Sequence, residues 1–220
     1  MNYLNIHTHF PTGNPNLPEI ENLYFGQSAS GKTPYLSAGL HPWFLQPDNM
    51  DAAQAWLEKQ LAQPGVVAVG EAGLDKVCDT PWELQEQAFR FCIGLSEKLN
   101  KPLVIHCVRA HNEVVQIKKE IRPTQSWIFH GFNKNTDIAA MLLREGCYLS
   151  FGASILRDGN HSAEALRQTP AELFFLETDD EQDISIRQIY QKAADIRGIS
   201  SGELAAIQAA NWSRCFAIKP

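Results

Sequence analysis

The sequence predicts an α/β protein built as a (β/α)8, or TIM, barrel, and three observations predict it. Eight short apolar runs recur along 220 residues, most of them separated by segments of helical period, and that alternation makes parallel βα units. Runs such as Val66-Val-Ala-Val and Leu173-Phe-Phe-Leu are apolar throughout, as strands covered on both faces are. The length suits eight such units in one domain, so residues 1–220 read as a single barrel.

The expected strands, in order, span residues 3–7, 20–25, 35–40, 66–70, 103–106, 127–130, 147–151 and 173–177. The first two connections carry no helix. Residues 10–18 contain Pro11, Pro15 and Pro18, which interrupt any helix. Residues 26–34 read Gly-Gln-Ser-Ala-Ser-Gly-Lys-Thr-Pro, again loop. The barrel is therefore distorted, lacking its first two outer helices. Further on, Leu84, Ala88, Phe91, Leu95 and Leu99 keep one helical face, as do Ile186, Ile189, Tyr190 and Ala193. Asn135 and Thr136 offer N-caps before Ile138, Met141 and Leu142, with Gly146 at C′. A last helix covers roughly 202–216.

The chemistry lies at the strand ends. His7-Thr8-His9 places two imidazoles on one face of a strand, a spacing that can hold one metal. Glu71 follows the 66–70 run, His106 closes Pro102-Leu-Val-Ile-His, His130 closes Trp127-Ile-Phe-His, and Asp179 ends Leu173-Phe-Phe-Leu-Glu-Thr-Asp. Each has an ordinary reading alone, as a turn carboxylate or a core histidine. Together they gather at the carboxyl pole of a barrel, where active sites form. Four nitrogen and two oxygen donors suit zinc or another first-row ion better than magnesium. They exceed what one catalytic zinc takes and suit two cations bridged by a carboxylate. His7, His9, Asp179 and Glu71 are expected on one, and Glu71, His106 and His130 on the other. Asp179 is also the expected proton acceptor from an attacking water that the cations activate. His41, in Gly39-Leu-His-Pro, either faces this site as a substrate-binding residue or is a plain turn residue. His111, beginning a helix, His161, in a polar loop, and the charges Asp180, Glu181 and Asp183 are expected in solvent.

With these motifs the chain resembles the TatD family of metal-dependent hydrolases, distorted TIM barrels of the amidohydrolase-like group, many described as deoxyribonucleases. The resemblance is carried by Asn5-Ile-His-Thr-His, Gly39-Leu-His-Pro, Val69-Gly-Glu-Ala-Gly-Leu-Asp, Pro102-Leu-Val-Ile-His-Cys, Phe129-His-Gly-Phe, Leu176-Glu-Thr-Asp and Asn211-Trp-Ser-Arg-Cys-Phe. It implies metal ligands at His7, His9, Glu71, His106, His130 and Asp179. It also implies phosphodiester hydrolysis at a dinuclear site, in the manner of a DNase or exonuclease, with two divalent ions: zinc, manganese or magnesium. The chain departs from the family pattern at Asn5, where the family has Asp, and at Val108, where it has Arg, with Arg109 one position later. It departs again at Glu181, where a Pro is common. A short-form member acting on a small phosphoester, amide or lactone is the alternative.

Composition limits the rest. Net charge is −6, so no basic nucleic-acid platform is expected; a nucleic-acid substrate is still compatible, because bound cations add local positive charge. No apolar run approaches a membrane span, and the amino-terminal residues do not read as a signal peptide. Five cysteines, without a CxxC pair, read as buried thiols of a cytoplasmic protein.

Overall fold

A computed structural model describes residues 3–157, 159–216 and 218; Met1 and Asn2, the start of the segment read above for a signal peptide, lie outside them. Eight parallel strands follow one another around a single sheet in chain order. They are β1 (Asn5–Thr8), β2 (Glu19–Tyr24), β3 (Tyr35–Gly39), β4 (Val66–Asp75), β5 (Leu103–Val108), β6 (Trp127–Phe129), β7 (Tyr148–Phe151) and β8 (Phe174–Leu176). The ring closes at its carboxyl end. The His9 N–H donates to the Asp179 carbonyl and the Asp179 N–H to the His7 carbonyl, both at 3.0 Å. Among the described residues there are seven α-helices: α1 (Met50–Leu61), α2 (Trp82–Leu99), α3 (His111–Ile121), α4 (Thr136–Arg144), α5 (His161–Gln168), α6 (Ile186–Arg197) and α7 (Ser201–Phe216). None is long and apolar enough to cross a membrane.

All eight expected strands are present, and the first two connections carry no helix. With those helices absent, the outer side of β2 is covered by loops, whose backbone needs partners. Two buried carboxylates supply them. Glu19 accepts from the Thr12 N–H and hydroxyl, each at 2.7 Å, and Glu21 accepts from the Ser30 N–H and hydroxyl at 3.0 and 2.8 Å. The strand bounds differ from expectation at β4, which continues past Gly70. Its ladder with β5 resumes after a register shift between Val69 and Ala72 and runs to Asp75↔Val108. Two helices escaped the sequence reading. In α1, Met50, Ala53, Leu57 and Leu61 are buried at helical spacing, and α5 begins at His161, capped by the Asn160 side chain accepting from the Ser162 N–H.

The core has two parts. Helix faces pack on the outside of the sheet. Inside the barrel, Leu4, Ile6, Ile20, Ala68, Val104, Ile128 and Phe175 meet Trp212 and Phe216 of α7, which plug the amino end. That helix is tied down where Gln208 and Asn211 donate to the Phe174 carbonyl at 3.1 and 2.9 Å. A sealed floor leaves the carboxyl end as the accessible end of the interior.

Candidate metal centre

Local backbone irregularities aim the polar side chains inward. In β1, Ile6 belongs to the barrel-interior cluster while the adjacent His7 reaches Glu71. Two consecutive side chains can face the interior because the register with β2 breaks between Asn5 and Thr8. Glu71 depends on its neighbour in the same way. Gly70 has φ +132°, and a Cβ there would stand 2.4 Å from the Val104 carbonyl oxygen, so only glycine lets β4 approach β5 at this point. β6 and β8 end one residue short of His130 and Glu177, setting these side chains just above the strands.

Glu71 is the hub. Its Oε1 lies 3.1 Å from His7 Nε2 and 3.1 Å from His9 Nε2. Its Oε2 lies 2.8 Å from His130 Nε2, 3.5 Å from His41 Nε2 and 3.7 Å from His106 Nδ1. Asp179 Oδ1 completes the first group, 3.4 Å from His7 Nε2 and 3.6 Å from His9 Nε2. Among the described residues, three sets of donor atoms lie within 4.8 Å of one another: His7, His9, Glu71 and Asp179; His41, Glu71 and His106; and His130, Glu177 and Asp179.

The electrostatics show a cluster built around positive charge. Burial opposes ionisation of Glu71, yet His130 and His7 hold its carboxyl well below the usual range. Burial also opposes charge on His7 and His130, but Glu71 and Asp179 win, raising His7 well above its ordinary value and His130 to about 9. Asp179, against its own burial, is drawn down to about 2, first by its hydrogen bond with His7 and then by the charge of His130.

These residues fit divalent cations. Nδ1 of His7 and Nδ1 of His130 are buried without a hydrogen-bond partner among the described residues, while His7 Nε2 faces oxygens of Glu71 and Asp179 at 3.1 and 3.4 Å. Donors that share one cation at ~2.1 Å stand roughly 3 Å apart, close to the spacings around Glu71 Oε1. Imidazole nitrogens and carboxylate oxygens at such spacing are what metal ligation would use.

A model of the family described as TatD related DNase matches residues 18–217. The chain belongs to this family. The match starts after His7-Thr8-His9, so that pair rests on the geometry above. The metal-dependent hydrolase YcfH of Escherichia coli is 29% identical over 197 residues, 83% of this chain and 73% of its own. The 3′-5′ ssDNA/RNA exonuclease TatD of Erwinia tasmaniensis is 29% identical over 201 residues, 82% of this chain and 77% of its own. The solved structure of YJJV, a TatD homologue from Escherichia coli, superposes with a TM-score of 0.83 at 20% identity, covering 98% of each chain; it bears on the fold alone. The present chain is thus a TatD-family metal-dependent hydrolase, an enzyme built on a TIM barrel.

In this TatD-family chain, the six expected donors and His41 meet at one pole, and three supporting residues escaped the sequence reading. Asn22, on β2, donates from Nδ2 to Glu71 Oε1 and accepts at Oδ1 from the Glu71 N–H, both at 2.9 Å. Asp75 lies 3.1 Å from His106 Nε2 and accepts from the Trp43 indole at 2.7 Å, which leaves His106 Nδ1 facing Glu71. Burial works against the Asp75 charge, but these bonds and one from the Val77 N–H keep its pKa below the ordinary value. Glu177, fully buried, accepts from the Gly131 N–H and the Ser150 hydroxyl behind His130, and burial raises its pKa. Asn22 stands two residues from Ile20 in Ile20-Glu-Asn-Leu and so shares its face of the strand, which was the available signal for Asn22.

The weaker histidines divide. His41 is buried against the cluster, and its Nδ1 accepts from the Trp43 N–H at 3.2 Å. His111 does begin a helix, but it is half-buried, its ring stacked on Phe129 at 6.3 Å, and burial pushes its pKa to about 4. Solvent exposure was expected there; the packing of α3 on β6 overrides it. His161 is exposed as expected, yet it opens α5 and does not lie in a loop.

Proposed function

We propose that this enzyme hydrolyses phosphodiester bonds, as a 3′-acting exonuclease on single-stranded nucleic acid, with two divalent ions held by His7, His9, Glu71 and Asp179 and by Glu71, His106 and His130. The observation that carries the reading is the division of labour on Glu71: one carboxylate oxygen faces His7 and His9, the other faces His130, His106 and His41. A carboxylate so placed suits a bridge between two cations. The Erwinia relative, named a 3′-5′ ssDNA/RNA exonuclease, supports the substrate class.

Divalent ions at such a site would lower the pKa of water and neutralise charge on a developing oxyanion. The side chains divide the remaining work. Asp179, ionised at neutral pH with a pKa of about 2, is the proton acceptor for the attacking water. His41 is held neutral, its pKa brought to about 3 by burial. Because its Nδ1 accepts from the Trp43 backbone, its proton sits on Nε2. That makes His41 a hydrogen-bond donor toward a substrate oxygen and a poor metal ligand. Asp75 fixes which nitrogen of His106 faces the site. Asn22 fixes the orientation of Glu71.

The test is hydrolysis of single-stranded DNA and of a phosphoester panel by metal-loaded protein. Turnover of DNA that disappears with chelator and falls at least about 100-fold in Asp179→Asn supports the reading. The alternative, a small phosphoester, amide or lactone, is favoured by Val108 at the place of the family's Arg and by the net charge of −6. Turnover of such compounds with DNA left intact would decide for it.

A further inference from the structure

Trp43 combines two properties that rarely go together: it is 60% exposed, and its ring is pinned. Its indole N–H donates to Asp75 Oδ2 at 2.7 Å, and Asp75 is itself buried and bound to His106. Its backbone N–H donates to His41. The bond that supports Asp75 also holds a fixed ring face toward solvent. The 3-10 turn of residues 42–44 that carries it also carries Phe44, stacked on Tyr24 at 4.0 Å. Phe10 stands across the same opening, 49% exposed.

These rings wall a cavity of about 340 Å³ that opens directly on His9, His41, Glu71, His106, His130 and Asp179. Its lining holds no Lys or Arg, but it does hold Glu71, Asp179 and Asp180. An uncharged flat group fits between these rings, and the chain itself offers a phosphate no Lys or Arg there. On the other side of Trp43, a second cavity of about 250 Å³ reaches His106, His130 and Asp179 and is lined by Lys134 and His111. The cluster thus opens one way to aromatic rings and the other way to a cation.

Resting on the phosphodiester reading above, we propose that Trp43 is a stacking platform for a nucleobase, so that the substrate carries a base beside the bond that is cut. The terminal base of a strand lies in the aromatic cavity against Trp43, and the neighbouring backbone phosphate lies toward Lys134. Stacking on an aromatic face is sequence-tolerant, since every base has one, so the site selects a nucleotide without selecting which.

The experiment compares two single-stranded oligonucleotides, identical except that one lacks the base of its 3′-terminal nucleotide, with metal-loaded parent, Trp43→Ala and Trp43→Phe proteins. The parent is expected to prefer the base-bearing strand in kcat/KM by roughly 5- to 100-fold, the worth of one stacked base. Trp43→Ala brings that ratio near one. Trp43→Phe keeps most of it while slowing both strands, because the ring remains but the bond to Asp75 is lost. A parent ratio near one, or a ratio that survives Trp43→Ala, overturns the proposal while leaving phosphodiester turnover intact. If neither strand is cleaved, the phosphodiester reading falls. The same ratio is then read from binding of the two fluorescein-labelled strands by anisotropy, where equal affinities overturn the stacking platform and a base-dependent affinity lost in Trp43→Ala upholds it.

Discussion

Asn22→Ala probes the clamp that orients Glu71. Asn22 is 2% exposed and sits at the centre of three hydrogen bonds. Its amide donates to Glu71 Oε1 at 2.9 Å, and its carbonyl accepts from the Glu71 N–H and the Ser37 hydroxyl, each at 2.9 Å. The first of these engages a charge, worth about 1.5–3 kcal/mol. Removing the side chain also strands two buried donors, at about 1–3 kcal/mol each, partly offset by water entering the space. Unfolding of chelator-treated protein in urea is expected to show a loss of about 3 kcal/mol. Ser37→Ala, which removes one neutral bond, should lose about 1 kcal/mol. Metal affinity of Asn22→Ala, measured by calorimetric titration, should fall about 10- to 100-fold, as losses behind a ligand do. If stability changes by less than about 0.5 kcal/mol and metal affinity by less than about threefold, Glu71 is held without Asn22 and the argument fails.

Three further outcomes follow from the same geometry. Metal-free protein carries raised histidines, His130 at about 9 against an ordinary 6.5, so their contribution to stability is full below about pH 6.5 and is lost as pH rises through 9. The urea midpoint of metal-free protein should fall across that window, while metal affinity rises over it as the protons cease to compete, with proton release visible in buffers of differing ionisation enthalpy. Asp75→Asn weakens the hold on His106 and should lower kcat about 10- to 100-fold with little loss of fold, checked by circular dichroism. Gly39→Ala places a Cβ 2.1 Å from the Glu71 carbonyl oxygen; it should destabilise by about 3 kcal/mol or more, seen as a large drop in melting temperature or in soluble yield.

The legible parts of the chain were those in which local chemistry repeats. Strand 173–177 was readable because four apolar residues in a row have few uses except a doubly covered strand. The absent helices were readable because Pro11, Pro15 and Pro18 forbid them. Helix α4 was readable from Asn135 and Gly146, and the structure uses both: Asn135 caps from its side chain and Gly146 takes φ +70°. Helix α1 was missed because its charged and polar residues dilute the apolar period until packing shows which face is inward.

The sequence by itself determined that His7, His9, Glu71, His106, His130 and Asp179 would gather at one pole, because each stands at the end of a run whose direction is fixed by parallel βα order. Only the tertiary structure decided which atoms meet. Asn22 reaches Glu71 across 49 positions and Asp75 reaches His106 across 31, through register shifts that no local pattern encodes. The side of His106 that faces the site, the neutral state of His41 and the exposed, anchored ring of Trp43 all arise from such distant contacts. Hydrogen bonds and burial act between neighbours in space, whereas propensity and periodicity act between neighbours in the chain.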